Sequence, residues 1–436
     1  MQTERSDHSE MRSPLARLAY LAFLLFFLCV IFGLDMPFQA PPAGVEDIST
    51  SNQWRQIVYT ALCGMAILAL APRRRQVWRL LCTEKWLTWL LLWCGLSILW
   101  SEFRFVSLKR FLQVIIAVVI IVTFLLHYQS PDPAFRLLQM LVGIYLGLCA
   151  IAIVLVPGAT DAYGYWRGLT YGKNALGQIS LMGLVLGATG LQHASAARRT
   201  ITLAMMGLAG LLLLGSHSMT TLLAAVLLGT VALIKWIAQR LATVGIGRTF
   251  VGWILVWVGV VTLVVYFEPG VLDSLFEFLG KDATFTERTS LWEVLIGEAK
   301  QHWLFGCGFD GFWVVENKTV LQMYETDFVW LPNEGHNGYV DLWNENGVVG
   351  LGLLLGLVLW YFRHVRQCTK AYNGRWLFLG VLVVNLMEST FFRLNNVTGM
   401  LFAFVYLAVA LEIMLTRAWE REALPRQTTI QYVQIS

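Results

Sequence analysis

One histidine closes the largest polar stretch of the chain. His336 opens the run His336-Asn337-Gly338-Tyr339-Val340-Asp341-Leu342-Trp343-Asn344-Glu345-Asn346-Gly347-Val348-Val349-Gly350, after which the sequence turns apolar. An imidazole titrates near neutrality, so at working pH it can take a proton from a hydroxyl. A seam between polar and apolar sequence is where an enzyme would hold one end of a lipid-carried substrate. Taken alone, the residue reads equally as structural or merely exposed. In the helix expected to start near Asn337, the side chains of Asn337, Asp341, Asn344 and Glu345 share one face, with Tyr339, Val340, Leu342 and Trp343 on the other. Gly347 and Gly350 then permit close approach of a neighbouring helix.

Three further groups have types and spacings that could act on a phosphate. Arg288 lies in Thr284-Phe285-Thr286-Glu287-Arg288-Thr289-Ser290-Leu291-Trp292 and is the one arginine of residues 268–346. A guanidinium among hydroxyls suits bidentate binding of phosphate oxygens. It would serve as well in a salt bridge to Glu287, Glu293 or another acid of the stretch. The run Trp166-Arg167-Gly168-Leu169-Thr170-Tyr171-Gly172-Lys173-Asn174 sets two bases beside two glycines. Arg167 and Lys173 could hold a diphosphate with backbone amides, or anchor the chain at a membrane surface. Arg110 and Arg393 are weaker versions of the same idea. The hydroxyl-rich turn Ser216-His217-Ser218-Met219-Thr220 marks a ligand path or simple helix capping by Ser218 or Thr220. No glycine-rich nucleotide loop, His-Glu-x-x-His helix or paired-cysteine site is present, and no ligand spacing demands a metal, although the acids leave a carboxylate-bound one open.

The elements that must position these groups are membrane helices. Of the 436 residues 57% are hydrophobic and 14% charged, and mean hydropathy is +0.61. Apolar runs of membrane-crossing length recur throughout, and backbone in lipid must satisfy itself, so an α-helical bundle is expected. About twelve spans are read, at 18–34, 56–71, 86–100, 111–126, 137–157, 174–191, 200–215, 219–236, 249–267, 347–362, 375–390 and 397–415. The first is taken as a span, not a cleaved leader. With both termini cytoplasmic, 21 of the 32 lysines and arginines fall on the inner side and 11 on the outer, as the positive-inside rule favours.

The chain then divides into an N-terminal membrane bundle of about nine spans (1–267), a large acidic loop between spans nine and ten (268–346), about three C-terminal membrane helices (347–415) and a cytoplasmic tail (416–436). The loop carries fourteen acids against four bases, the pattern of a solvated surface. Its aromatics give it mass to pack, and 289–303 reads as a short amphipathic helix with Leu291, Trp292, Leu295, Ile296 and Ala299 at helical spacing. Of seven cysteines only Cys307 lies in that loop, so no disulfide framework is expected. The halves lack matching broken helices, which weakens a transporter reading.

In this order the motifs resemble the bacterial O-antigen ligase and polymerase superfamily. The resemblance rests on Gly168-Leu169-Thr170-Tyr171-Gly172-Lys173-Asn174-Ala175-Leu176-Gly177, on Arg288-x3-Trp292, on Leu304-Phe305-Gly306-Cys307-Gly308-Phe309-Asp310-Gly311-Phe312-Trp313, and on His336-Asn337 separated by nine residues from Gly347-x2-Gly350. It spans about Trp100 to Gly350 and looks most like the exopolysaccharide repeat-unit polymerases. His302-Trp303 stands where the family commonly has proline, and His217 where it often has arginine or lysine. If that last position grips phosphate, grip here depends on protonated His217 or passes to Arg167 or Lys173.

The resemblance implies glycosyl transfer at the outer face of a bacterial inner membrane, with the active site facing the periplasm. The donor would be a glycan on undecaprenyl diphosphate and the acceptor a hydroxyl of a second lipid-linked glycan. His336 would be the base and Arg288 the phosphate clamp. Arg110, Arg167, Lys173 and His217 would bind the diphosphate, with Asn174, Trp292, Asn337, Asp341 and Glu345 in support. The implied reaction is a direct, inverting displacement without metal or cofactor. Its implied partners are the bilayer and the flippase and chain-length regulator of the same pathway, with no nucleic acid. Two alternatives stand: a ligase passing the glycan to lipid A core or another acceptor, and a transporter of lipid-linked glycans.

Overall fold

The computed structural model describes residues 13–32, 53–161, 163–191, 195–242, 285–326, 328, 331–369, 374–393 and 396–423. The described residues form an all-α membrane protein with no strand. The helices are α1 (Pro14–Phe32), α2 (Gln53–Leu70), α3 (Arg74–Thr83), α4 (Trp86–Ser97), α5 (Arg104–Tyr128), α6 (Asp132–Leu155), α7 (Lys173–Leu191), α8 (Ala196–Gly215), α9 (Met219–Ala242), α10 (Phe285–Gln301), α11 (Lys318–Thr326), α12 (Gly338–His364), α13 (Arg375–Val384) and α14 (Val397–Ala423). Nine helical stretches are long and apolar enough to cross a membrane, and two more, Trp86–Trp100 and Arg375–Val384, are apolar but shorter. These account for eleven of the twelve expected spans; the one at 249–267 lies outside the described residues.

The centre of the bundle is α14. From Met400 to Leu411 every residue is buried, whichever way it faces. A helix that is apolar all round can be hidden only by packing protein on every side, and α2-flanking α5, α12 and α13 supply that packing. The rings of Tyr361, Phe378 and Phe402 stack there in series, at 3.7 and 5.2 Å between centroids. By contrast Leu21, Ile67, Leu148, Leu223 and Val226 are exposed apolar residues on peripheral helices, the surface that lipid would cover.

Two elements depart from the sequence expectation, and both departures shape the site. The span expected at 375–390 stops as a helix at Val384. Asn385 ends it: its Nδ2 donates to Val381 O and Thr390 Oγ1, while its Oδ1 accepts from the Thr390 and Phe391 amides. A side chain that satisfies backbone groups this way competes with the helix ladder. The other departure is α12, which begins nine residues before the expected span at 347–362 and is kinked at one non-helical residue, Gly347 (φ 67°, ψ −172°).

The break at Gly347 frees backbone groups that lipid could not satisfy. The segment 303–308 takes them up: Val348 N donates to Trp303 O, Val349 N to Leu304 O, and the Cys307 and Gly308 amides donate to Asn344 O and Glu345 O. Trp93 Nε1 caps Asn346 O at 2.9 Å. Irregular backbone at membrane depth survives only when protein completes its hydrogen bonds. This strap is the Leu304-to-Trp313 motif, and its structural duty is to brace the kink. A Cβ on Gly347 would lie 2.1 Å from Leu304 O, and φ +67° is costly for any L side chain. Gly347→Ala is therefore expected to destabilise the protein by about 3 kcal/mol or more. The check is the thermal midpoint in detergent; an unchanged midpoint would remove the strap's bracing role.

Candidate functional site

The site grows from the N-terminus of α12. Asn337 caps this helix, its Oδ1 accepting from the Tyr339 and Val340 amides at 3.1 and 3.3 Å. The cap is bolted to the turn that follows α13. Asn337 N donates to Ser389 Oγ, and Gly338 N donates to Asn385 O and Glu388 O. His336 is the residue just before the cap, and its φ of 49° places it in the left-handed region. His217, Asp310 and Phe392 share that rare conformation. Non-glycine residues held there cost free energy and gather where the surroundings over-determine them.

Segment 334–336 is fixed from two sides. Trp292 Nε1 donates to Gly335 O at 2.8 Å, and Gly335 N donates to Asp341 Oδ2 at 3.0 Å. Asp341 also accepts from Trp313 Nε1 at 3.0 Å, which ties the strap to the same point. Leu291, Leu295 and Ala299 are fully buried along the same stripe of α10, as the amphipathic spacing requires. Arg288 and Trp292 are four residues apart and therefore share a face. One turn thus steadies the histidine segment through Trp292 and brings Arg288 beside it.

The charged groups form a chain of alternating sign. Arg288 Nη2 lies 3.2 Å from Glu388 Oε1, and its other terminal nitrogen donates to Met387 O. His336 Nδ1 lies 3.5 Å from Glu388 Oε2 and 3.2 Å from Glu334 Oε1. Glu334 in turn pairs through Oε2 with Arg393, whose second nitrogen is 3.7 Å from Asp341 Oδ2. The Arg288 and Glu388 side chains are only 15% and 5% exposed, so water screens this pairing little.

Burial pulls the His336 pKa down, but hydrogen bonding and charge from Glu334 and Glu388 outweigh it and raise it to about 9. Burial pushes Glu334 the other way, and His336, Arg393 and Arg288 together hold it below the usual carboxylate range. Glu334 is thus the weaker base of the pair. Its part is to orient and charge the imidazole, leaving Nε2 as the ring nitrogen turned from the Nδ1 contacts.

One ligand atom from each of Glu334, His336 and Glu388 lies within 4.8 Å of the others, a spacing that a metal ion fits. Each carboxylate already carries an arginine, so a dication there would face two guanidinium charges at close range.

Other expected residues converge on this chain to different degrees. Thr220 Oγ1 donates to Glu388 Oε1 at 3.2 Å; Ser218 Oγ lies 3.3 Å from it and donates to Asn174 Oδ1 at 2.9 Å. The 174 and 216–220 motifs are thereby joined to Glu388 by hydroxyls. Lys173 Nζ sits 4.4 Å over the Tyr165 ring and the His217 ring lies tilted against it at 4.7 Å, so these two side chains share one patch. Arg167 is half-buried and donates from Nε to Gly158 O. Arg110 stands apart: its guanidinium grips Asp310 O, Asp310 Oδ1 and Trp313 O at 2.7, 3.1 and 3.1 Å. It braces the strap, and Glu345 Oε2 does the same by accepting from Asp310 N at 3.0 Å.

Glu388 is the hub that sequence reasoning missed. It is counted within the apolar span 375–390, where a lone acid among Asn385-Leu386-Met387-Glu388-Ser389-Thr390 is itself a signal of function. Glu334 is lost among fourteen loop acids, and Arg393 is ranked only as a weaker cation.

Comparison with known proteins places the same residues in context. Residues 204–355 match the family described as O-Antigen ligase, a stretch that holds Ser218, Thr220, Arg288, Glu334, His336 and Asp341. A segment of 104 residues is 33% identical to the exopolysaccharide production protein ExoQ of Rhizobium meliloti (strain 1021). That segment is 23% of this chain and spans 23% of the length of that relative.

Proposed function

We propose that this chain, whose residues 204–355 match the O-antigen ligase family, is a member of that superfamily and a glycosyltransferase that joins lipid-linked glycans. The donor is a sugar chain on a polyprenyl diphosphate, and the acceptor hydroxyl belongs to a second lipid-linked repeat. One observation carries the reading: an imidazole held by two carboxylates, with an arginine on the far side of one of them, at one end of a membrane bundle. The acceptor oxygen attacks the anomeric carbon as its proton passes to His336 Nε2. The bond from that carbon to the diphosphate oxygen breaks, and the lipid diphosphate leaves with the electron pair. Arg288 offsets charge on the leaving group, with Lys173 as a further cation and the His217 ring beside it. The donor is already activated, so no nucleotide enters. The positive-inside bias supports an outward-facing site in the inner membrane, with the flippase delivering substrate to it and the chain-length regulator acting on its product.

The test is to incubate the purified protein with a defined polyprenyl-diphosphate repeat unit and chelator, then resolve the products by size. Longer chains at an undiminished rate are expected. Absence of new chains with that donor would refute the reading, and a rate abolished by chelation would refute the metal-free chemistry. The family match is described as a ligase, which favours one variant: lipid A core in place of the second repeat as acceptor. Product analysis with each acceptor separates the two.

A pH dependence follows from the histidine's surroundings. A base that titrates at about 9 is roughly 1% neutral at pH 7, so its proton must leave before it can accept another. The rate should rise about tenfold per unit from pH 7 and level off near 9. Glu334→Gln removes one of the carboxylates that stabilise the imidazolium, and should move the limb to lower pH. A profile flat from pH 6 to 10 would show that no such proton leaves.

A further inference from the structure

The loop between α6 and α7 presents aromatic rings in a way that its other duties do not explain. It is tightly built. Asp161 Oδ1 accepts from the Tyr163 and Tyr165 amides, and Asp161 N donates to Tyr165 O. The Arg167 and Gly168 amides both donate to Ala159 O, and Trp166 N reaches across to Gly215 O at the end of α8. Thr170 Oγ1 closes the far end on Arg167 O and Gly172 O. A loop pinned this thoroughly can turn its large side chains inward, and it half-buries Trp166, whose ring fills the space beside Gly215. Yet Tyr163 and Tyr171 remain 83% and 82% exposed.

The setting of these rings is polar. The exposed aliphatic residues Val154 and Leu155 belong to the end of α6, and the tyrosines come after that helix has ended. Around them are Asp161, Arg167, Lys173 and His217. Tyr165, half-buried, takes the Lys173 ammonium and the His217 ring on its faces and has the Tyr163 ring 6.1 Å away. The Tyr171 phenol lies within electrostatic reach of Glu334, Glu388 and Arg393. The hydroxyl chain from Asn174 through Ser218 and Thr220 to Glu388 ties the end of this loop to the same cluster.

We propose that this loop is a sugar-stacking subsite, in which Tyr171 takes the face of a pyranose ring beside the charged cluster and Tyr163 takes a ring farther along the glycan. The inference rests on the glycosyl-transfer reading. One face of a pyranose is lined by C–H bonds and packs flat on an aromatic ring, while its hydroxyls reach the polar rim. A rigid tyrosine offers such area at low entropic cost, with a phenol to hydrogen-bond the rim. The subsite would hold a neutral oligosaccharide, with the cations of the patch left for the diphosphate.

The experiment uses the full chain in nanodiscs. Wild type, Tyr171→Ala, Tyr171→Phe and Tyr163→Ala are compared for chain extension over a range of lipid-diphosphate repeat-unit concentrations. Each is also titrated with the lipid-free repeat-unit oligosaccharide, released from the host polysaccharide by mild acid and followed by saturation-transfer NMR. Tyr171→Ala should raise KM about tenfold and weaken the oligosaccharide signal in proportion, while Tyr171→Phe, which keeps the ring, should recover most of both. Tyr163→Ala should give a smaller change of the same kind. If wild type extends chains and Tyr171→Ala matches it in KM and in binding, the subsite is refuted. Equal losses in the Ala and Phe variants would refute stacking as well, since the ring alone would then not suffice. A change in membrane depth of the loop, with KM unaltered, would reassign the tyrosines to lipid anchoring. If wild type itself extends nothing, the glycosyl-transfer reading has failed and not the loop.

Discussion

Replacing His336 with alanine should lower the rate of chain growth about a thousandfold while the protein still folds and inserts. The size follows from what the imidazole does. An acceptor hydroxyl is a poor nucleophile, and the proton it sheds must go to a positioned base. No neighbour can take over. Glu334 is held below the usual carboxylate range, and Glu388 is occupied by Arg288 and Thr220. The fold loses little, because His336 precedes the helix cap and is no part of it. Asn337, Ser389 and Asp341 keep the segment in place without the ring. The measurement is kcat/KM for extension beside the thermal midpoint. A variant within tenfold of wild type, equally stable, would take the base assignment away from His336.

Arg288→Lys should cost about a hundredfold in kcat/KM. The guanidinium already spans two acceptors, Glu388 Oε1 and Met387 O, and so stands at a fixed angle beside the imidazole. A diphosphate entering there would meet a planar fork, whereas lysine offers one compact charge on a flexible stem. Breaking a buried ion pair also threatens stability, by several kcal/mol when a carboxylate is left unpaired. Lysine avoids most of that loss because it keeps a positive charge opposite Glu388, so the thermal midpoint should stay close to wild type while turnover falls. Near-normal turnover in Arg288→Lys would make Arg288 a structural partner of Glu388 only.

The membrane helices were legible because each needed only length and apolar content, and eleven of twelve expected spans coincide with apolar helices, although the ends of some lie six or more residues from where they were expected. The end of α13 was not legible. Asn385, Ser389 and Thr390 sit in a run apolar enough to pass for a span, and only their hydrogen bonds reveal a turn. Glu388 was hidden for the same reason, although one acid in an apolar run is a cue that could have been followed. His336 and Arg288 stood out by being rare in their surroundings. Glu334 did not, since among many acids nothing in sequence marks the one that meets a histidine. Arg110 shows the reverse: a cation in a suggestive place whose guanidinium is committed to Asp310 and Trp313. Spacing revealed Arg288 and Trp292 as neighbours on one helix face. It could not show that the Leu304-to-Trp313 motif braces a helix broken at Gly347, because that pairing joins segments distant in sequence.

The proposed reaction is a single displacement: an acceptor hydroxyl, freed of its proton at His336, attacks the anomeric carbon as the lipid diphosphate leaves. The anomeric configuration of the linkage tests it most directly. Purified protein is given a polyprenyl-diphosphate repeat of known configuration, and the newly formed bond is read by NMR from the one-bond carbon–proton coupling at the anomeric carbon. Inversion at every new linkage is expected, with one lipid diphosphate released per bond. Retention of configuration would overturn the single displacement, because it requires a covalent glycosyl intermediate and would make a carboxylate such as Glu334 or Glu388 the nucleophile in place of the acceptor hydroxyl.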